Sequence, residues 1–131
     1  MFHILVVDDD KNTRRLMRAV LEGDGYTVTT ACDGEEAVIH LLNTPSYQYD
    51  VIFMDIQMPK MNGHEATKAI RASGRPDLEK IPIIAMSANA FEEDVRKSKA
   101  SGMNYHIAKP VETLKLKKVL EKVFFEKKTG E

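Results

Sequence analysis

Long apolar runs, disulfide partners and excess charge of either sign are all missing from this 131-residue chain. The longest apolar start, Phe2 to Val7, ends in three aspartates and is too short for a signal-peptide core. No stretch approaches the ~20 apolar residues of a membrane-spanning helix. The single cysteine, Cys32, has no internal partner and cannot anchor a multi-thiolate zinc site. A reducing, cytoplasmic setting follows as the expectation, with Cys32 chemically inert. Nineteen basic and twenty acidic residues leave a net charge of −1. That balance gives no general attraction to nucleic acid or anionic membrane. There is no tryptophan, no internal repeat and no low-complexity tract. Gly-x-x-x-x-Gly-Lys is absent as well, which argues against nucleotide hydrolysis on a phosphate-binding loop.

What is present is 43% apolar residues, enough for one domain that buries roughly two thirds of its unfolded surface. Short runs rich in β-branched residues recur at Ile4–Val7, Tyr26–Thr30, Val51–Met54, Ile81–Met86 and, weakly, Tyr105–Ala108. Runs without polar alternation read as strands buried on both faces, the mark of a parallel sheet. Between them apolar residues repeat at helical spacing: Met17 with Leu21, Ala37 with Leu41, Ala66 with Ile70, and the stripe Leu116, Leu120, Phe124. Asp33 with Glu36 and Asn62 with Glu65 have the form of capping boxes, and Asn89 can cap the helix holding Phe91 and Val95. Gly23, Gly25, Gly74 and Gly102 punctuate helix ends. Five strand–helix repeats predict an α/β, flavodoxin-like (βα)5 doubly wound parallel sheet in a single domain. The expected strand order is 2-1-3-4-5, with its switch point between strands 1 and 3. The domain is expected over 1–126, with a frayed tail over 127–131.

In open α/β sheets the site forms at the carboxyl ends of the strands. Strand 1 there ends in Asp8, Asp9 and Asp10, strand 3 in Asp55, strand 4 in Ser87, and strand 5 in Lys109-Pro110. Asp8 and Asp9 should face Asp55, and Asp10 should cap the first helix. Clustered carboxylates resist joint ionisation, and Mg2+ makes such a cluster tolerable while leaving room for a phosphoryl oxygen. Asp55 is the natural acceptor, because a carboxylate needs no deprotonation at neutral pH and can form an acyl phosphate. Lys109 and Ser87 suit the oxygens of the transferring group. A calcium loop on Asp8, Asp10 and Asn12 fails, since Thr13 replaces the required Gly and Ala19 the closing Glu. A phosphatase of the haloacid dehalogenase type needs a second Asp two residues after Asp55, where Gln57 stands. A degenerate interaction module would not need the intact Asp8, Asp9, Asp55, Ser87 and Lys109 set.

These stretches resemble the receiver domain of two-component response regulators. The likeness rests on Ile4–Asp10, Val51–Pro59 with Asn62-Gly63, Ile81–Ala88, and Gly102–Asn104 leading to Lys109-Pro110. It implies phosphorylation of Asp55 by a phosphohistidine donor, a histidine kinase or a histidine phosphotransfer domain. It also implies Mg2+ (with Mn2+ as an alternative) held by Asp8, Asp9, Asp55 and the main-chain carbonyl of Gln57. Ser87 and Lys109 would hold the phosphoryl group, and Gln57 and Asn89 would tune its lifetime. The implied product is a phosphorylated switch or relay carrier that is not an enzyme acting on other molecules and makes no direct nucleic-acid contact, as a monomer or weak dimer. A cis Lys109–Pro110 bond is common in that family. The wording of Met54–Pro59, Met86–Phe91 and His106–Pro110 is similar to receivers of hybrid histidine kinases, so a domain of a larger protein and a stand-alone carrier both remain open. One departure stands out. The family's aromatic switch position holds His106, and Tyr105 should point to the other side of its strand, so a modest conformational response is expected. His106 titrates in the neutral range when unperturbed, and a solvated strand edge is expected for it. His3, His40 and His64 are expected at the surface or at strand edges. Met54, Met58 and Met61 are expected in core and loop packing.

Overall fold

The computed structural model describes residues 2–88 and 92–128. Asn89 and Phe91, invoked above for a helix cap and its helix, lie outside the described residues. Five parallel strands run in the order β2-β1-β3-β4-β5: β1 (His3–Val7), β2 (Thr27–Ala31), β3 (Val51–Asp55), β4 (Ile83–Ser87) and β5 (Tyr105–Ala108). The expected α/β topology holds. The strands are linked through α1 (Lys11–Gly23), α2 (Gly34–Leu42), α3 (Gly63–Arg71) and α5 (Glu92–Ser101), with α6 (Thr113–Lys128) closing the chain. A short helix not foreseen from the sequence, α4 (Pro76–Lys80), sits between α3 and β4.

Successive side chains of a strand point to opposite faces, and two cores result. Ile4, Val6, Phe53, Ile84, Met86 and Ile107 meet Met17 and Leu21 of α1 and Leu116, Val119, Leu120 and Val123 of α6. Leu5, Val7, Ile52, Met54, Ile83 and Ala85 meet Ala37, Leu41, Ala66 and Ile70 of α2 and α3, with Leu78 of α4. Both faces of the three central strands are therefore covered, which explains their unalternated apolar runs. Met54 and Met58 are buried and Met61 packs beside them, as expected.

Strand limits differ from the sequence reading for local reasons. The Tyr26 N–H turns back to the Leu21 carbonyl at the end of α1, so β2 starts at Thr27. Pro82 has no N–H to give to a ladder, and β4 starts at Ile83. Helix α6 runs on to Lys128, two residues past the expected domain edge. Asn62 and Glu65 form a full capping box. At Asp33 only half of one forms: its side chain accepts from the Glu36 N–H, while the Glu36 carboxylate turns to the Cys32 N–H at 3.2 Å.

Two half-buried arginines staple the lower loops. Arg71 donates to the carbonyls of Leu78, Ile81 and Gly102 and to Asn104 Oδ1. Arg75 donates to the carbonyls of Leu41 and Thr44 and pairs with Asp77 at 2.9 Å. Backbone carbonyls that no ladder uses are satisfied in this way.

Candidate functional site

Strand register builds the site. Val7 pairs with Met54, Asp55 with Met86, and Ser87 with Ala108. Asp8 therefore leaves β1 beside Asp55, and Lys109 leaves β5 beside Ser87. Ligand-capable oxygens of Asp8, Asp9 and Asp55 all lie within 4.8 Å of one another. Asp8 and Asp55 are buried, and Asp9 is exposed. The Lys109 Nζ lies 3.1 Å from Asp8 Oδ2 and 3.3 Å from Asp55 Oδ1. Ser87 is buried at the end of β4, and its carbonyl accepts from the Lys109 N–H at 2.7 Å. The Lys109–Pro110 peptide is cis. Gln57 is exposed, and its N–H donates to Asp55 Oδ1 at 3.3 Å. The sequence-named residues Asp8, Asp9, Asp55, Ser87 and Lys109 thus converge on one end of the sheet.

Asp10 belongs to the scaffold. Its side chain accepts from the N–H groups of Asn12 and Thr13 and from the Thr13 hydroxyl, capping α1. Its own N–H donates to Asp8 Oδ1 at 2.8 Å, which fixes the Asp8 carboxylate.

The electrostatics are those of an overloaded acidic pocket. Burial, and after it the charge of Asp8, pushes the Asp55 carboxyl up to about 7, against the opposing pull of Lys109. Burial alone would lower the Lys109 ammonium, but the bonds and charges of Asp8 and Asp55 outweigh it and hold its pKa above the ordinary lysine value. One lysine among three carboxylates leaves negative charge uncompensated. Asp55 Oδ2 is buried without a hydrogen-bond partner. A buried acceptor left in that state is costly, and oxygen ligands at this spacing suit a hard divalent cation.

The histidines depart from expectation. His106 is half-buried rather than solvated at a strand edge, and its Nε2 is enclosed with no hydrogen-bond partner. It borders a cavity of about 140 Å³ lined in part by Val95, Ser98 and Met103. Tyr105 packs with the α1/α6 core, on the opposite side of β5 as expected. His3, His40 and His64 are half-buried as well, bonded to Thr29 Oγ1, the Tyr49 hydroxyl and Ser98 Oγ. Burial lowers the His106 pKa, with Asp94 opposing, and burial with Lys68, Lys97 and His106 lowers that of His64. The unfolded chain takes up these protons at the ordinary value near 6.5, before the folded chain does. Stability present above that pH is therefore lost as the pH falls below it. Replacing His106 by Phe should flatten part of this acid limb, so thermal unfolding at pH 5 should favour the variant over the parent more than at pH 8. An equal difference at both values would contradict the assignment.

The exposed Cys32 thiol donates to Glu36 Oε2 at 3.0 Å, and that bond, with burial and nearby acids, raises its pKa. A thiol held protonated is a poor nucleophile.

A doubly wound sheet that gathers three carboxylates, a serine and a lysine at its switch point defines a phosphoryl-handling class of signalling domain. Residues 4–121 match the response regulator receiver domain model, and the chain belongs to that family. It is a receiver domain of two-component systems, homologous to the receivers of hybrid histidine kinases. It is 33% identical over 120 residues to hybrid signal transduction histidine kinase L of Dictyostelium discoideum, covering 91% of this chain and 7% of that protein. The chain spans 6% to 15% of the length of the histidine kinases it matches. Chemotaxis protein CheY4 of Vibrio cholerae superposes with a TM-score of 0.86 at 32% identity, over 94% of this chain and 98% of that one. The receiver of a sensor histidine kinase from Pseudomonas aeruginosa, solved with magnesium coordinated in its active-site cleft, superposes at 0.81 with 35% identity, over 92% and 95% of the two chains. Among the described residues no helix is long and apolar enough to cross a membrane.

Proposed function

We propose that this receiver accepts a phosphoryl group on Asp55 from a phosphohistidine donor and serves as a switch or relay carrier. The observation that carries the reading is the Asp55 carboxylate itself. It is buried, lies 3.3 Å from Lys109 Nζ, leaves Oδ2 unpartnered, and shares a 4.8 Å cluster with Asp8 and Asp9.

An Asp55 oxygen attacks phosphorus as the phosphorus–nitrogen bond of the donor breaks. The electron pair of that bond leaves with the imidazole, which takes up a proton. Lys109 neutralises phosphoryl oxygens as they approach, and the Ser87 hydroxyl donates to one of them. Asp8, Asp9, Asp55 and the Gln57 main-chain carbonyl are the residues proposed to hold Mg2+, or Mn2+ in its place. Bound there, the ion supplies fixed positive charge that stabilises the transferring group. Hydrolysis of the acyl phosphate returns the carboxylate, and Gln57 and Asn89 are proposed to set its lifetime. No other substrate is turned over. The donor is a histidine kinase or a histidine phosphotransfer domain in the cytoplasm, and His106 shapes a limited conformational response.

Incubation with acetyl phosphate and Mg2+, followed by intact-mass measurement, tests this reading. One phosphoryl group should be gained, and none by Asp55→Asn. Steady turnover of foreign phosphoesters would make the protein a phosphatase instead. No mass change at all would mark an inert module.

A further inference from the structure

Asp9 is the exposed member of the acidic trio, so packing does not fix its carboxylate as burial fixes those of Asp8 and Asp55. Its placement depends on the backbone that carries it. On its amino-terminal side that backbone is the Asp8–Asp9 peptide, and the structure clamps this unit. The Asp8 N–H donates to the Ala31 carbonyl of β2 at 3.2 Å. The Asp8 carbonyl accepts from Arg14 Nη1 at 2.7 Å in a partly buried contact. On the other side, Asp10 is locked as the cap of α1. Arg14 itself stands in the first turn of that helix, its N–H bonded to the Asp10 carbonyl at 3.1 Å. The guanidinium thus closes a loop from α1 back to the peptide that precedes Asp9.

We infer that Arg14 is a positioning residue for Mg2+, acting through the Asp8–Asp9 peptide to hold the Asp9 carboxylate against Asp55. The inference rests on the proposed metal site and adds to it a residue that offers the ion no ligand. Partners that orient metal ligands from behind typically contribute ten- to hundredfold in affinity. An exposed ligand on a loop depends on such support more than a buried one does. Arg18 provides an internal comparison. One turn further on it also donates to a backbone carbonyl, that of Val28 in β2 at 3.1 Å, away from the acids.

The experiment is an NMR titration of the full chain with Mg2+, with thermal unfolding in chelator alongside. Arg14→Met keeps the aliphatic stem and its packing but removes the donor. It should weaken Mg2+ binding about tenfold. Arg14→Lys, with a single donor group, should recover part of the loss, and Arg18→Met should bind as the parent does. In an Asp9→Ala background Arg14→Met should cost nothing further, because the residue it positions is gone. A purely structural role would instead lower the unfolding midpoint and give the same loss of Mg2+ affinity with or without Asp9. Parent-like binding by Arg14→Met, or an undiminished effect in the Asp9→Ala background, overturns the inference and leaves the metal site standing. Failure of the parent itself to bind Mg2+ overturns both.

Discussion

Asp55→Asn should make the metal-free protein more stable at pH 8, while removing the proposed phosphoacceptor. Below the ordinary carboxylate pKa of 3.8 the Asp55 side chain is protonated whether folded or not, and it costs nothing. As the pH rises, the unfolded chain ionises first, while the folded carboxyl keeps its proton up to about 7. The native state loses ground through that window and reaches its full penalty above it. A shift of this size corresponds to about 4 kcal/mol at most. The neutral amide escapes it, while Lys109 keeps its 3.1 Å partner in Asp8. Denaturant unfolding in chelator at pH 8 and at pH 5 measures the effect, and the advantage of the variant should shrink at the lower pH. Magnesium should then narrow or reverse the gap at pH 8, since it stabilises only the chain that binds it. A variant less stable than the parent at pH 8 without metal would show that the carboxylate is not under strain.

The same overloading made the site legible in the sequence. Apolar runs that stop in Asp8 and Asp55 are informative because buried strands exclude charge unless something holds it. The strand order then brings those two ends together. The parts that stayed hidden have other causes. Helix α4 has five residues led by Pro76, too short for a helical period to show. Arg71, Arg75 and Arg14 act on backbone carbonyls, and a carbonyl has no residue type to recognise. His3 and His64 read as surface because their polar partners, Thr29 and Ser98, come from distant parts of the chain, and His40 because the loop after α2 has to fold back before the Tyr49 hydroxyl reaches it. Packing around β5 encloses the His106 Nε2, and tertiary enclosure of this kind leaves no period in the sequence.

Gly63 carries the second large effect, and it reaches the site through the backbone of Asp55, without touching any ligating side chain. Its N–H donates to the Ile56 carbonyl at 2.9 Å, drawing the start of α3 onto the end of β3. A Cβ added there would run into the Asp55 carbonyl oxygen and come 2.9 Å from the Ile56 Cα. Both obstacles are backbone, so no rotamer change relieves them. Either α3 retreats, straining the Asn62–Glu65 cap, or the end of β3 moves and carries Asp55 with it. Overpacking of this kind typically costs 1–3 kcal/mol, and the better helix propensity of alanine recovers at most about 1 kcal/mol. Gly63→Ala should therefore lower stability by about 1–2 kcal/mol and slow acetyl-phosphate labelling through the displaced carboxylate. Gly23→Ala is the matched control: it is also helical, and nothing lies within 4 Å of its added Cβ. That variant should match or slightly exceed the parent in stability and label at the same rate. Comparable labelling by both variants would mean that the β3–α3 contact supports the fold without setting the position of Asp55.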